Sequence, residues 1–482
     1  MRFASAVVIG LACTFAPSVS ASQTPPTSYP ALSNRQPYPE PPLPVLPAAG
    51  GRFSDPTFAT LLLRVTDSAT LPADIGRSFT TPSAAHQLAW NATSDRFYVR
   101  GVDGRVIPYN FDAALMQATR IMPAAGGNGG LTIVSQAEPQ FSFLSRDTLF
   151  VSWQDAINDW PVIRRFDFAS LSYADIINLG ALTPVNGATY AGALSSSAGS
   201  PERLSVIFGG QQDTHYKVAV FEASGANPIV LNSMDSWIER GGVRKATNIA
   251  LGFNLHHAWI DKSGGFVVLY PVGASPVPYL IWDLSTDQLT MVNWVADGHD
   301  ALGFGAQVNQ SCCTSSSYDA AQWQYRRLSS PGVTKDLIAP VLTPMEVYLA
   351  DHTSWNNAHR SRLVPVLSST YRYYDGGLNT TPWRAWDNEV IAIETGASGG
   401  ARVWRFAHHR SNVEYDGNAS ATYFWYLPRA TISPDGRWAL FTSNWEKTLG
   451  PATGAEPGGS YRTDVFLVAL TRTSALSHLV KK

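Results

Sequence analysis

Charge is what this sequence has least of. Asp, Glu, Lys and Arg make up 15% of its 482 residues and nearly cancel, leaving a formal net charge of -2. No basic run stands out, so no nucleic-acid partner is expected. Cysteine is almost as scarce, at three residues, and a chain this long cannot be held by so few bridges. Long apolar runs are missing too. Beyond the N-terminus no stretch of about 18 residues lacks polar breaks, so no membrane span is expected. The sequence contains no GxSxG, HExxH or P-loop, and no GxGxxG between a strand and a helix, so the commonest hydrolase, zinc-protease and nucleotide-binding chemistries have no foothold.

Aromatic residues and turn formers fill the space. There are 15 Trp, 19 Tyr and 21 Phe, with 38 Gly and 32 Pro. Aromatics with abundant turn residues and little charge predict an all-β protein.

The first 21 residues have the form of a secretory signal. Arg2 is the positive region, Ala4 to Phe15 the apolar core, and Val19-Ser20-Ala21 the small-residue cleavage site. A secreted or periplasmic location is therefore expected. Residues 22–51, with Pro-Glu-Pro-Pro-Leu-Pro-Val-Leu-Pro, read as an extended linker without a core of its own. After the signal only Cys312 and Cys313 remain. As neighbours they are open to a strained vicinal disulfide, to free thiols or to pairing between chains.

The stretch Ile432-Ser433-Pro434-Asp435-Gly436-Arg437-Trp438 joins two strand-like runs through a Pro-Asp-Gly turn. The pattern recurs at Trp90 to Phe97, Leu144 to Leu149, Ile260 to Val267 and Trp355 onward. Weaker copies lie at Leu194 to Val206 and after Leu302. Further strand-like runs follow several copies, as in Tyr279-Leu280-Ile281-Trp282. Seven units of roughly 45 to 70 residues, four strands each, predict a seven-bladed β-propeller over 52–475, with 476–482 as a tail. The lone strand near Ala59 to Val65 has no local partner. It is expected to close the ring by joining the last blade beside 428–434, 437–443 and 462–471.

Ser433-Pro434-Asp435-Gly436-Arg437-Trp438 with Phe441-Thr442-Ser443 resembles the blade signature of TolB-like and WD40-like propellers. Residues 52–475 also resemble exported bacterial propeller proteins. A thinner resemblance is to propeller polysaccharide lyases of the oligogalacturonate and ulvan types, which place His, Tyr and Arg at one mouth of the ring. Their motifs do not match here residue by residue, so no catalytic role follows from that resemblance.

The repeat alignment itself marks a rim. Three residues before the apolar residue that precedes the turn stand His257, His299, His352 and Arg429, with Gln87 and Phe141 in two other blades. The first strand of each propeller blade lines the central channel, so these side chains should converge at one mouth. His257, His299, His352 and Arg429 are the candidate catalytic residues. Imidazoles transfer protons near neutral pH, and Arg binds carboxylates bidentately. His256 and His86 sit one residue earlier, where strand alternation turns them away. Candidate substrate-binding residues are His256, His408, His409, Arg410, Asn309 and Tyr373. Of these, His408 to Arg410 belong to a run that folds over the mouth, Asn309 to a polar loop, and Tyr373 to an aromatic cluster with Tyr371 and Tyr374. The three rim histidines are also candidate ligands for a divalent metal, with Asp300 and Asp351 adjacent. No carboxylate pair occupies equivalent rim positions, which disfavours glycoside hydrolysis.

The chemistry this set suits is β-elimination on a uronate-containing polysaccharide. The alternative is a non-catalytic scaffold that binds a glycan or another cell-envelope component. In either case a monomer is expected.

Overall fold

A computed structural model describes residues 24–72, 75–101, 104–122, 133, 135–154, 160–182, 190–210, 214–272, 279–292, 299–310, 323–338, 351–372, 382–413, 423–453 and 461–471. Seven antiparallel sheets follow one another around a ring. Blade 1 runs from Phe79–Thr80 to Gln117–Arg120 and blade 2 from Gln140–Phe141 to Ser172–Asn178. Blade 3 runs from Tyr190–Ser196 to Val243–Ala246 and carries six strands, its last two an extra outer hairpin. Blades 4, 5 and 6 begin at Leu255–Ile260, Ala301–Leu302 and Asp351–Ser354. Blade 7 begins at Thr431–Ile432. Helix is confined, among the described residues, to Leu179–Leu182 and a 3-10 turn at Tyr423–Tyr426. No helix among them is long and apolar enough to cross a membrane.

In blades 1, 4 and 7 one polar residue after the inner strand organises the hairpin turn. In blade 7 the Ser433 hydroxyl accepts the Trp438 amide at 3.1 Å, while Gly436 supplies the positive φ of 67°. Asn91 Oδ1 accepts the amides of Asp95 and Arg96 in blade 1. Asp261 Oδ1 accepts those of Gly265 and Phe266 in blade 4. Different residues thus close the same turn by the same side-chain-to-backbone bond.

The ring closes as expected. Leu61–Arg64 pairs antiparallel with Asp464–Ala469, with Leu62 opposite Val468 and Leu63 opposite Leu467. Arg52–Ser54 adds a fifth strand outside it. Leu62 and Leu63 are fully buried on opposite faces, so both sides of this strand are core. The buried Arg64 guanidinium donates to Asp464 across the seam at 2.6 Å.

The proline-rich segment is more than a linker. Residues 24–51 lie packed along blades 6 and 7. The Tyr29 ring is buried edge-on against Trp404 and Phe406, and its hydroxyl donates to the Gly436 carbonyl at 3.0 Å. An extended proline-rich chain makes no internal hydrogen bonds, so its carbonyls stay available. Buried arginines take them: Arg405 binds Gln36 O, Arg410 binds Pro41 O, and Arg64 binds Pro47 O.

Candidate functional site

Channel-facing residues come from alternate positions of the inner strands. Thr431, Trp259, Ser195 and Gln140 form one layer, each touching the blade 1 segment 86–88, and two residues earlier lie Arg429, His257 and Glu138; in blade 3 a register shift between Gly192 and Ser195 turns Ala193 onto the core. In blade 2 the pair Phe141–Leu149 is the counterpart of Ile432–Ala439. The rim position of blade 2 is therefore Glu138, and the sequence alignment that placed Phe141 there is three residues out of register. Phe141 points into the core instead.

Blade 1 departs further. Its inner strand starts at Phe79–Thr80 and is interrupted before Trp90 bridges to Phe97. The intervening residues turn into the channel and close it. His86 stacks on Trp259 of blade 4 at 4.5 Å, and its Nε2 lies 3.1 Å from Ser195 Oγ of blade 3. The Gln87 carbonyl accepts from Asn356 of blade 6 and Thr431 of blade 7. The Leu88 amide donates to Gln140 of blade 2. Deeper in the bore, buried Lys262 donates to Asn356 Oδ1 at 3.0 Å, and burial pulls its pKa down to about 7. The blade 1 segment thus spans the bore, bonded to blades 2, 3, 6 and 7 and stacked on blade 4.

His257 is sandwiched between Trp259, 3.9 Å away, and Tyr270, 4.0 Å away. A register shift between Leu255 and His257 breaks the alternation of this strand. That bulge, which sequence alternation does not foresee, leaves His256 exposed yet brings the two Nδ1 atoms within 2.7 Å. Burial, then the neighbouring His256, His86 and His299, push the His257 pKa well below its ordinary value. His299 and His352 stack at 3.8 Å. Burial, then His299 and Arg429, likewise depress His352. Tyr371 lies beyond it at 5.9 Å between ring centroids. The Nε2 atoms of His257 and His352 are buried and have no hydrogen-bond partner. Both imidazoles are therefore neutral near pH 7.

Arg429 completes the arc. It is fully buried, its φ of 38° lies in the left-handed region, and none of its three guanidinium nitrogens has a hydrogen-bond partner. Its guanidinium carbon lies 4.7 Å from the Phe424 ring and 5.3 Å from that of Trp425. Burial, with Arg100 nearby, lowers its pKa to about 9, so it stays cationic at neutral pH. Arg100 is itself paired with Glu138, which also accepts the Ser83 amide.

A metal does not fit the three histidines. No group of three or more His, Cys, Asp or Glu among the described residues is arranged to hold one. Rings stacked as His299 and His352 are direct their nitrogens sideways rather than toward a common point. The adjacent carboxylates are engaged elsewhere: Asp300 accepts from Gln307 at 2.5 Å, and Asp351 from Trp323 Nε1 at 2.8 Å and from Ser368.

The remaining candidates divide. Asn309 is buried in the second strand of blade 5, one residue beyond the Ala301–Val308 pair and so level with the His299 end of the inner strand. His408, His409 and Arg410 are buried and already engaged. His408 Nε2 meets the Tyr38 carbonyl, and His409 is held by the Thr370 carbonyl and the Ser411 amide. Arg410 bonds Pro41 and Glu446. These contacts fasten the N-terminal segment and the end of blade 6. Tyr373, Tyr374, Cys312 and Cys313 lie outside the described residues. Arg100, Glu138, Phe424 and Trp425 were not singled out from the sequence. Arg100 was reachable, because second strands end at the mouth where inner strands begin.

No family model matches the sequence, and no curated relative does. Among solved structures, an oligogalacturonate lyase from Vibrio parahaemolyticus aligns over 87% of this chain and 96% of its own, at 11% identity and a TM-score of 0.51. The WD40 repeats of RRP9 align over 87% of this chain and all of theirs, at 9% identity and a TM-score of 0.43. TolB from Acinetobacter baumannii aligns over 70% of this chain and 65% of its own, at 12% identity and a TM-score of 0.30. At this identity the likeness is one of architecture: the chain is a seven-bladed β-propeller similar in fold to the oligogalacturonate lyase.

Proposed function

We propose that this is an exported propeller that acts on a uronate-containing polysaccharide by β-elimination at the His/Arg mouth. The observation that carries the reading is Arg429, a buried guanidinium with no acceptor, beside neutral His352. A buried cation without a partner is costly, and a carboxylate is the partner its geometry suits. Bound there, the uronate carboxylate would lose its charge penalty and its α-proton would become more acidic. A neutral imidazole, His352 or His257, takes that proton. The electrons form the new ring double bond and expel the glycosidic oxygen, which receives a proton from His299 or Tyr371. The distant architectural likeness to an oligogalacturonate lyase agrees with this chemistry without assigning it.

The test is incubation with pectic, alginate and ulvan-type polysaccharides while following the ultraviolet absorbance of unsaturated uronate. Absence of signal over the whole panel, with and without divalent metal, would refute the lyase reading. Retained binding in that case would favour the second reading, a glycan-binding or cell-envelope scaffold. The burial of His257, His352 and Arg429 is what favours it.

A further inference from the structure

We propose that Phe424 and Trp425 are the specificity-determining half of the Arg429 site, selecting a carboxylate carried on a sugar ring over a bare inorganic oxyanion. The inference rests on the carboxylate-binding reading of Arg429. The two rings meet at 83°, with centroids 5.3 Å apart, and make an apolar corner. The Arg429 guanidinium sits in that corner, over both ring faces. A corner of ring faces attracts a cation through its quadrupole but offers no acceptor. The N–H groups, buried and without a protein acceptor, are therefore left for a bound ligand to satisfy on the side away from the rings. A ligand entering there meets a cation flanked by aromatic walls. Sulfate answers the cation alone and loses hydration against the rings. A neutral sugar answers the rings alone. A uronate answers both, carboxylate to Arg429 and the C–H face of its pyranose to an aromatic ring.

The corner is fixed in place. Phe424 packs with Tyr371, Val413 and Leu427. Tyr426 is held by Ser411 Oγ at its carbonyl and by the Tyr461 amide, 3.0 Å from its hydroxyl. Both residues are half-buried.

The experiment is calorimetric titration of the full-length protein with galacturonate, glucuronate, galactose and sulfate, on wild type, Trp425→Ala, Phe424→Leu and Arg429→Met. Thermal melts confirm that each variant folds. Uronate should bind wild type. Trp425→Ala should weaken it about tenfold, the scale of one lost aromatic contact. Galactose should give no heat, and excess sulfate should not displace uronate. If sulfate competes as well as uronate, or if both aromatic variants bind within about twofold of wild type, the proposal fails. Loss of binding in Arg429→Met alone would overturn only the aromatic half. Absence of uronate binding to wild type would overturn the carboxylate reading and this one together.

Discussion

The imidazoles of His299 and His352 stack 3.8 Å apart and 25° from parallel, although they begin the inner strands of adjacent blades. Nothing in the local sequence of either demands the contact. It follows from the ring, which sets equivalent strand starts side by side.

If His352 removes the α-proton, His352→Ala should lower kcat/KM on a uronate polymer by about 100-fold or more, the usual contribution of a general base. Its melting temperature should stay near that of wild type. A loss under about tenfold in the His257→Ala, His352→Ala double variant would remove both from the mechanism.

Arg429→Met should separate stability from binding. An apolar side chain of similar length relieves the buried, acceptor-free cation, so the fold should gain about 1–3 kcal/mol. Uronate binding should vanish. Chemical denaturation with calorimetry checks both. A variant less stable than wild type would mean that Arg429 holds the ring together.

Acid should weaken the fold. Burial lowers the pKa of both His408 and His409 to about 3, and pushes those of His86, His257 and His352 well below the ordinary value. Below about pH 6.5 the unfolded chain takes up protons that the folded one refuses, so stability present at neutral pH is lost as pH falls. At pH 5 His408 and His409 each cost about 2 kcal/mol. Glu40, Glu202 and Glu389, which burial raises to about 7, and Asp387, raised to about 6, work in the opposite sense. Melting temperatures at pH 7 and pH 5 test the sum, and His409→Gln should flatten the slope.

Ring closure should depend on the strand at Leu61–Arg64. Leu63→Ala should cost about 2–5 kcal/mol, and Tyr29→Ala about 3–5 kcal/mol, because each empties a packed site, Leu63 where blade 7 meets blade 1 and Tyr29 where blade 6 meets blade 7. Denaturant midpoints measure both. A Tyr29→Ala protein as stable as wild type would make the N-terminal segment an incidental layer.

The blades were legible because each carries its own local signal, a turn former between alternating runs. Ring closure was legible by elimination, since Leu61–Arg64 had no nearby partner. The convergence of His257, His299, His352 and Arg429 followed from strand register. Register failed where strands are irregular. The interrupted strand of blade 1 carries His86 into the bore, the bulge at His256 turns it toward His257, and the turn of blade 2 hid Glu138. The packing of the proline-rich segment 24–51 was not legible because Tyr29 meets Trp404 and Gly436, and contacts so distant in sequence leave no local pattern. Phe424 and Trp425 were missed for the same reason, since their link to Arg429 comes from a short turn between blades.

The central claim is that Arg429 and its histidine neighbours act on a uronate glycan. The most direct measurement is the rate of unsaturated-uronate formation from pectic, alginate and ulvan-type polysaccharides by wild type and Arg429→Met in parallel. The account predicts product from at least one polymer with wild type, and at least about 100-fold less with the folded variant. Equal rates from the two proteins, or no product from any polymer, would contradict it.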